Sequence, residues 1–254
     1  MPKGFHNTER TVLRIAGADR IEFLEGLVSN TVKHLDKAPV YAAMLSPQGK
    51  YLFDFILSAD GDSVLLDVKT DRAQPLAMRL NMYKLRADVT ISDSGLKVVQ
   101  GVGAAPEGAF ADPRDPNLGW RLYTGDVPAL EPMSVAEWDA LRVENTVPET
   151  GIELLPDETY ILEAGFERLN GVDFRKGCYV GQEVTARMKH KTELKKGLVQ
   201  VAIEGTAEAG TPITTDGKPA GTLYTVVNGK GLAHLRFERA KGDMQAGDAV
   251  VRRV

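Results

Sequence analysis

The sequence predicts an α+β domain followed by a small β-barrel. In the first hundred residues, strand and helix patterns follow in the order strand, helix, strands, helix, strand. This order is typical of ferredoxin-like layers, in which helices pack on one face of a mainly antiparallel sheet. From Gly197 onward, five or six short β-rich segments separated by Gly and Pro turns occupy fewer than sixty residues, which indicates a small barrel or an open sandwich.

Alternating and apolar runs define the strands of the first half. The expected strands are 11–15, 40–45, 51–57, 63–68, 88–91 and 96–101. Asp19 and Asp71 can each cap a following helix, because a short carboxylate accepts hydrogen bonds from the free N–H groups of the first turn. Pro75 is then expected in the tolerant first turn of the second helix. The Ser-Pro-Gln-Gly turn at 46–49 joins two of the strands.

The next part of the chain contains one helix with a strong start signal. Residues 104–118 are rich in Pro, Ala, Gly and Asp and indicate a connecting loop, which a short strand at 120–123 follows. Ser134 and Glu137 form a capping box, so a helix should run from there to about Asn145. The residues expected to face inward are Val135, Trp138 and Leu141.

Composition excludes several classes of function. The chain of 254 residues is 43% hydrophobic and has a net charge of -4, which allows a sizeable core and argues against a nucleic-acid coat or a membrane-surface protein. The first residues lack the apolar run of a secretory signal, and no stretch of about 18 apolar residues is present. We therefore expect a cytoplasmic protein that has neither a membrane nor a nucleic acid as its partner.

The single cysteine, Cys178, limits the possible metal and redox sites. One thiol excludes an intrachain disulfide and an all-protein Cys₄ or Cys₂His₂ site, and it fits a reducing compartment. No stably bound metal is therefore predicted. Cys178 could ligate a metal cluster only transiently, beside ligands from another protein.

Cys178 lies in a segment that combines two glycines with a cation. The segment consists of Lys176, Gly177, Cys178, Tyr179, Val180, Gly181, Gln182 and Glu183. Its glycines can take positive φ and leave the sulfur uncovered, and a helix is expected over 182–188. The ammonium of Lys176 and the N–H groups of the first helical turn would both favour the thiolate, which is the nucleophilic and metal-binding form. The alternative is an inert cysteine buried as a small apolar residue.

This segment resembles the signature of the YgfZ family of folate-binding-fold proteins. That family is related to aminomethyltransferases and includes a mitochondrial iron–sulfur cluster assembly factor. The resemblance extends to residues 17–19, 23–27, 45–50, 169–174, 185–190, 220–222 and 231–236. It implies an aminomethyltransferase-like folate-binding domain at 1–192 and a C-terminal β-barrel domain at 193–254.

The resemblance also implies a function. The chain would be a folate-dependent accessory factor in iron–sulfur cluster assembly or repair, acting through Cys178 with Lys176 as the activating cation. Gln182 and Glu183 could position the turn through side-chain hydrogen bonds. Tetrahydrofolate or a derivative would be the cofactor. The partners would be cluster assembly proteins and cluster-dependent client enzymes.

Arg142 and Glu144 are the residues to which the resemblance assigns folate binding. Aminomethyltransferases end the equivalent helix in an Arg-Leu-Glu pattern whose Glu binds the pterin ring, and Glu144 falls on that position. A carboxylate suits this role because it can accept two hydrogen bonds from an amino-pyrimidine edge. The alternative is that Glu144 lies in solvent or pairs with Arg142. Gly165 and Phe166 depart from the family, which usually carries an Asn there.

A basic run follows the signature. It consists of Arg187, Lys189, His190, Lys191, Lys195 and Lys196. Such a run is most often a solvated face. The alternative is that cations such as Arg187 attract the glutamate tail of a folate or a phosphate on a partner.

Two other functions stay open. A tetrahydrofolate-dependent aminomethyltransferase, or another one-carbon transferase, would share the fold, and this is the reaction expected if the chain is an enzyme. Those enzymes carry an acidic residue followed by Phe-Ile-Gly at the positions where this chain has Cys178, Tyr179, Val180 and Gly181. The other alternative is a non-catalytic binding scaffold in which the thiol is inert.

Overall fold

Two sheets, a barrel and four α-helices make up the described part of the protein. The computed structural model describes residues 1–191 and 193–254, without the side chain of Lys191. The elements of the first half are β1 Lys3–His6, β2 Arg10–Ala16, α1 Arg20–Glu25, β3 Val40–Leu45, β4 Tyr51–Asp60, β5 Ser63–Lys69, α2 Thr70–Lys84, β6 Thr90–Asp93 and β7 Lys97–Val102. The remaining elements are β8 Phe110–Ala111, a 3₁₀ turn Pro116–Leu118, β9 Trp120–Thr124, β10 Glu131–Pro132, α3 Val135–Glu144, α4 Gln182–Lys191, β11 Lys196–Glu204, β12 Pro212–Thr215, β13 Lys218–Val227, β14 Lys230–Arg236, β15 Met244–Ala246 and β16 Ala249–Arg253.

The first sheet has the order β3-β4-β5-β2-β6. All its neighbouring strands are antiparallel. Its strands β4 and β5 are buried along nearly their whole length. Helices α1 and α2 cover one face, and α3, the irregular chain at 147–172 and the second sheet cover the opposite face. On the helical face, α2 contributes Ala73, Leu76 and Leu80 to the core, and α1 contributes Leu24. This is the helix-on-sheet layer that the sequence predicts.

The second sheet has the order β10-β1-β7-β9-β8 and packs against the first sheet. Val98 of β7 meets Val12 of β2 and Leu65 of β5 in a small apolar cluster. At Gly101 a Cβ atom would lie 2.1 Å from the carbonyl oxygen of Lys3. Only glycine therefore permits the close approach of β7 to β1.

A chain of buried ion pairs lies next to this apolar cluster. Asp67 of β5 accepts hydrogen bonds at 2.7 Å from both Arg10 and Arg121. Arg121 also donates to Asp112 at 3.0 Å, and Arg114 donates to Asp112 at 2.8 Å. Burial alone would raise the pKa of Asp112, but the two guanidinium groups lower it well below its ordinary value. Glu149, 3.8 Å from Arg10, supplies a third carboxylate, so three guanidinium groups face three carboxylates. The Nε of Arg121 and the side-chain amide of Gln100 have no hydrogen-bond partner among the described residues.

The C-terminal strands form a closed barrel in the order β11-β14-β13-β12-β15-β16. Closure removes the exposed sheet edge that an open sandwich would keep. The barrel contacts the first domain where the Leu198 N–H donates to the Glu163 carbonyl oxygen at 2.7 Å and where the Glu153 carboxylate accepts from the Thr225 N–H at 3.2 Å. The α+β domain followed by a β-barrel is thus as the sequence predicts. The expected domain boundary adjoins Thr192, which lies outside the described residues.

The structure differs from the prediction at four helix positions. Asp71 does not cap α2, because it is the second residue of the helix, whose N-cap is Lys69. Asp19 does not cap α1; its φ and ψ of -89° and 3° are not those of an extended capping residue, and its carboxylate accepts from the Asp88 N–H at 2.7 Å. Pro75 is the sixth residue of α2, outside the first turn, because the helix begins at Thr70 directly after β5. Val135 is 65% exposed, since α3 enters the core only from Trp138 onward.

None of the helices in residues 1–191 and 193–254 is long and apolar enough to span a membrane.

Candidate functional site

Cys178 is exposed in an irregular segment that leads into α4. The helix begins at Gln182, where the backbone N–H donates to the Tyr179 carbonyl oxygen at 3.2 Å. Cys178 therefore lies four residues before the helix and outside its first turn. The expected placement of the thiol at the helix N-terminus is wrong, whereas its expected exposure is confirmed.

Lys176 anchors the segment on one side of the cysteine. Its side chain is buried, and its Nζ donates to the carbonyl oxygens of Glu25, Val28 and Asn30 at 2.8, 2.7 and 3.1 Å. Burial lowers the pKa of Lys176 to about 8, and the nearby Glu25 carboxylate opposes that shift. Three acceptors use all three N–H donors of the ammonium. Lys176 thus holds the segment against the chain that follows α1, and it has no donor left for Cys178.

Tyr179 anchors the segment on the other side. Its ring is buried in the same apolar cluster as Leu45 and Tyr51, and burial raises the pKa of Tyr179 to about 12. The Lys176 Nζ lies 5.2 Å from the centre of this ring. The residues that flank the Gly177-Cys178 pair are therefore fixed in the interior, while the sulfur between them faces outward.

Gly181 lets the segment pack tightly against the turn at 46–49. Its φ is +85°, and a Cβ atom there would lie 2.6 Å from the Ser46 carbonyl oxygen. The turn approaches α4 equally closely: a Cβ atom at Gly49, whose φ is +74°, would lie 2.7 Å from the Val184 Cβ. Gly177 has an ordinary φ and no atom within 4 Å of its Cβ position. Positive φ is therefore confirmed for Gly181 only.

Helix α4 displays polar side chains beside a shallow concavity. The concavity has a volume of about 450 Å³ and is lined by Glu183, Val184, Ala186, Arg187 and His190. Arg187 and His190 are exposed, so the first part of the basic run is a solvated face. Lys189 pairs with Glu167 and lies 5.5 Å from the Phe174 ring centre. The side chain of Lys191 lies outside the described residues.

Arg142 and Glu144 lie on the barrel side of α3. The guanidinium of Arg142 is buried and donates to Asp139, Val147, Glu153 and Thr225. Burial alone would lower the pKa of Arg142, but the neighbouring carboxylates raise it. All five guanidinium N–H groups are in use. Arg142 therefore supports α3 and the barrel contact and has no free donor for a ligand.

Glu144 is exposed and already paired. Its carboxylate accepts from Lys230 at 2.5 Å and from Gln200 at 3.4 Å, and the hydrogen bond from Lys230 lowers the pKa of Glu144. Both hydrogen bonds go to the Oε2 atom of Glu144. The carboxylate therefore has the acceptor chemistry that an amino-pyrimidine edge requires, with Lys230 competing for one oxygen, whereas Arg142 has no free donor to offer a folate. Neither residue packs against the cysteine segment, which contacts α1 and the turn at 46–49.

A second concavity lies between the first domain and the barrel. It has a volume of about 170 Å³ and is lined by residues that include Lys50, Tyr160, Glu163, Lys196, Tyr224 and His234. The Glu163 carboxylate lies 3.1 Å from the His234 Nε2. Sequence reasoning missed this concavity, because its walls come from separate stretches of chain that only the fold brings together.

Across residues 1–191 and 193–254, no group of three or more His, Cys, Asp and Glu side chains has an arrangement suited to a metal ion.

Comparisons with known proteins agree with this architecture. A family model described as the CAF17 C-terminal beta-barrel domain matches residues 195–254. The glycine cleavage system aminomethyltransferase T from Bartonella henselae superposes with a TM-score of 0.78 at 14% identity, covering 99% of this chain and 84% of that one. The described chain therefore has an aminomethyltransferase-like fold.

Two curated relatives are similar over most of their length. The mitochondrial iron–sulfur cluster assembly factor IBA57 of Mus musculus is 33% identical over an alignment of 279 positions, gaps included. The alignment covers 92% of this chain and 78% of the relative. The Homo sapiens protein of the same name is 32% identical over 276 residues with the same coverage.

These relatives contradict the expected cytoplasmic location, since both are mitochondrial proteins. The expectation depended on a single cysteine and on the lack of an apolar leader. Those features separate reducing from oxidising compartments and secreted from unsecreted proteins. They do not separate the cytoplasm from a mitochondrion, which is why the expectation was wrong.

Proposed function

Because this chain belongs to the family of the IBA57 iron–sulfur cluster assembly factors, we propose that it assists the assembly or repair of iron–sulfur clusters through Cys178. The observation that carries the proposal is the exposed thiol between two anchored residues, Lys176 and Tyr179. The signature at 176–183 further supports placing the chain among the YgfZ proteins. Its partners would be cluster assembly proteins and cluster-dependent client enzymes.

The chemistry assigned to Cys178 is transient ligation of a cluster that is the cargo. The thiol releases its proton, and Sγ displaces one thiolate of the delivering partner from an iron atom, while the displaced thiolate takes up a proton. Thiolates are the soft ligands that such clusters prefer. Other ligands come from the partner that delivers or receives the cluster. The cluster leaves when a thiolate of the recipient replaces Sγ, so the step needs no oxidant or reductant.

Because the segment around Cys178 is already anchored, binding a cluster costs less conformational entropy. Ordering one residue of a free loop costs about 1–2 kcal/mol. Here the hydrogen bonds of Lys176, the burial of Tyr179 and the contact of Gly181 with the 46–49 turn fix the segment before a partner arrives. Lys176 is thus a positioning residue in this proposal, and its ammonium does not donate to the thiol.

A tetrahydrofolate derivative is proposed as a ligand of the first domain. The aminomethyltransferase-like fold suggests it, and the accessible carboxylate of Glu144 has the acceptors to hold the amino-pyrimidine edge. Exposed Arg187 offers a cation to a glutamate tail. A bound tetrahydrofolate would supply a one-carbon carrier.

The folate site is tested by titrating the protein with tetrahydrofolate and following fluorescence. Glu144→Gln should weaken the binding of tetrahydrofolate about tenfold. Glu204→Gln, a change at another exposed and paired glutamate, should not weaken it.

The thiol is tested in cells that lack their own member of the family. Cys178→Ser and Cys178→Ala should reduce the activity of cluster-dependent dehydratases to the level of the deletion, while Arg175→Ala, a change at an exposed neighbour, should restore wild-type activity. Equal activity of Cys178→Ser and the wild type would refute the role of the thiol and favour the scaffold alternative. Robust methylene transfer from a lipoylated carrier to tetrahydrofolate would instead favour the aminomethyltransferase alternative.

A further inference from the structure

Residues 28–30, the connector, join the edge of the first sheet to the chain that leads into the cysteine segment. On the sheet side, Val28 forms an isolated bridge with Met44 of β3, and the Ser29 N–H donates to the Ala43 carbonyl oxygen at 2.8 Å. Strand β3 is at the edge of its sheet, so its outer backbone groups are available for such bonds. The connector therefore extends the sheet by a short piece of extended pairing.

Ser29 holds β3 and the incoming chain at the same time. Its buried hydroxyl donates to the Gly171 carbonyl oxygen at 2.6 Å and accepts from the Ala43 N–H at 2.8 Å. The Ser29 carbonyl oxygen accepts from the Asp173 N–H at 3.0 Å. One residue thus binds backbone groups of β3 and backbone groups that lie five and seven residues before Cys178.

Asn30 repeats this double contact one residue later. Its side-chain Nδ2 donates to the Tyr41 carbonyl oxygen of β3 at 3.0 Å and to the Asn170 carbonyl oxygen at 2.6 Å, which uses both amide hydrogens. Asn170 has a φ of +54°, a left-handed conformation that occurs as single residues in turns. The Asn30 side chain therefore ties this turn to the sheet edge.

The connector fixes the main chain, which the side chain of Lys176 cannot do alone. The ammonium of a lysine is a point charge on a flexible four-carbon stem, so its hydrogen bonds are compatible with several positions of its own backbone. The bonds of Ser29 instead reach main-chain atoms of residues 171–173. Two acceptors of the lysine, the carbonyl oxygens of Val28 and Asn30, also belong to the connector. The connector thus sets both the path of the chain and the place where the lysine is held.

We propose that Ser29 and Asn30 are positioning residues for Cys178, which hold the thiol at the place where a partner presents the cluster. This inference rests on the proposed function, because the position of the thiol matters only if the thiol is the working group. Ser29 is buried, so it acts through the backbone and not by contact with the cluster. Position has a large effect on such steps, since displacing a reacting group by about 1 Å lowers a rate by as much as about a hundredfold.

The first test follows the motion of the thiol and needs no activity. Cys178 is the only cysteine in the chain, so a nitroxide spin label reacts there alone, and its electron paramagnetic resonance spectrum reports nanosecond motion of the segment. The wild-type spectrum should contain a slow-motion component that Ser29→Ala and Asn30→Ala each lose. Asn30 is only partly buried, so Asn30→Ala keeps the test decisive if circular dichroism shows that Ser29→Ala does not fold.

Ser94 and Asn81 provide matched controls. The Ser94 hydroxyl donates to the Val12 carbonyl oxygen at 2.7 Å and accepts from the Leu96 N–H at 3.1 Å. It makes the same two kinds of bond as Ser29, but directly after β6, at the opposite edge of the first sheet. The Asn81 side chain donates to the Ala77 carbonyl oxygen within α2 at 2.9 Å. Ser94→Ala and Asn81→Ala should keep the slow-motion component even where they lower the free energy of unfolding, which separates positioning from a general loss of stability.

The second test measures function in cells that lack their own member of the family. Unlabelled Ser29→Ala and Asn30→Ala should lower the activity of cluster-dependent dehydratases at least about tenfold, whereas the two control variants should keep wild-type activity. A maleimide reagent should still label Cys178 of the purified variants to completion, because the thiol is exposed in the wild type and releasing the segment does not cover it.

Two results would overturn the inference. The first is a slow-motion component that is missing in the wild type or survives in both connector variants, which would show that the connector does not hold the thiol. The second is loss of that component with wild-type dehydratase activity, which would show that a held thiol is not needed. Failure of the proposed function looks different: Cys178→Ser would then keep wild-type activity, whatever the spin-label spectra of the connector variants show.

Discussion

The Nζ of Lys176 lies 2.7 Å from the carbonyl oxygen of Val28. This contact joins residues that are far apart in sequence and places the charge of the signature lysine on backbone oxygens. The backbone oxygens of residues 25–30 therefore fix the cysteine segment in place. Four predictions test this contact and the packing around it.

Gly181→Ala should destabilise the protein, whereas Gly177→Ala should not. At Gly181 a Cβ atom would meet the Ser46 carbonyl oxygen at 2.6 Å and the φ is +85°, while at Gly177 the space is open. The expected loss for Gly181→Ala is more than about 1 kcal/mol, measured by urea unfolding. Similar stabilities for the two variants would contradict the packing described between the segment and the 46–49 turn.

The stability that Lys176 contributes should depend on pH. Its pKa is about 8 in the folded protein, below the ordinary 10.5, so between these values the unfolded chain binds the proton more tightly. Stability then rises with pH across this window and is lost as the pH falls toward 8. The unfolding free energy of the wild type minus that of Lys176→Met should increase from pH 8 to pH 10.5, because only the wild type gains stability from the titration of this lysine. A constant difference would show that the lysine titrates alike in both states.

Asp67→Asn should strongly destabilise the fold. Asp67 accepts from Arg10 and Arg121 in the buried layer, and removing its charge leaves two buried guanidinium groups short of a counter-charge. The expected cost is about 3–5 kcal/mol in urea unfolding. Asp60→Asn, which breaks the exposed pair with Arg14, is the control and should cost at most about 1 kcal/mol. Equal effects of both variants would argue against the buried chain of ion pairs.

Cys178→Ser should leave the thermal midpoint nearly unchanged, within about 1 °C. The thiol is exposed, so its replacement creates no cavity. By the same reasoning, a maleimide reagent should label the native wild-type protein to completion and as fast as it labels the protein in urea. A large fall in the midpoint, or labelling that requires urea, would mean that the sulfur is packed inside.

Local patterns predicted most of the elements. The capping box of Ser134 and Glu137 starts α3 as expected, and strands such as β3 and β5 match their predicted runs within one residue, because capping and alternation are properties of adjacent residues. The short strands β1, β8 and β10 were missed. They hold only two to four residues, which is too short to show an alternating pattern, and β1 and β10 form through pairing with strands that are distant in sequence.

The site was predicted less completely than the fold. The exposure of Cys178 follows from its glycine-rich surroundings, but the hydrogen bonds of Lys176 to Glu25 and Val28 depend on contacts across the whole domain. Arg142 shows the same limit: a helix-terminal arginine looks free in a sequence, whereas here five donors are committed to the interior. Sequence patterns identify which groups are present, and long-range packing decides which of them are available.

The contact between Gly49 and Val184 has a consequence for the order of events during synthesis. The turn that receives the cysteine segment is made early, and the segment itself emerges more than a hundred residues later. An incomplete chain on the ribosome therefore has the receiving surface without the thiol. The anchored arrangement of the cysteine segment therefore cannot form until the chain has been made at least as far as Val184.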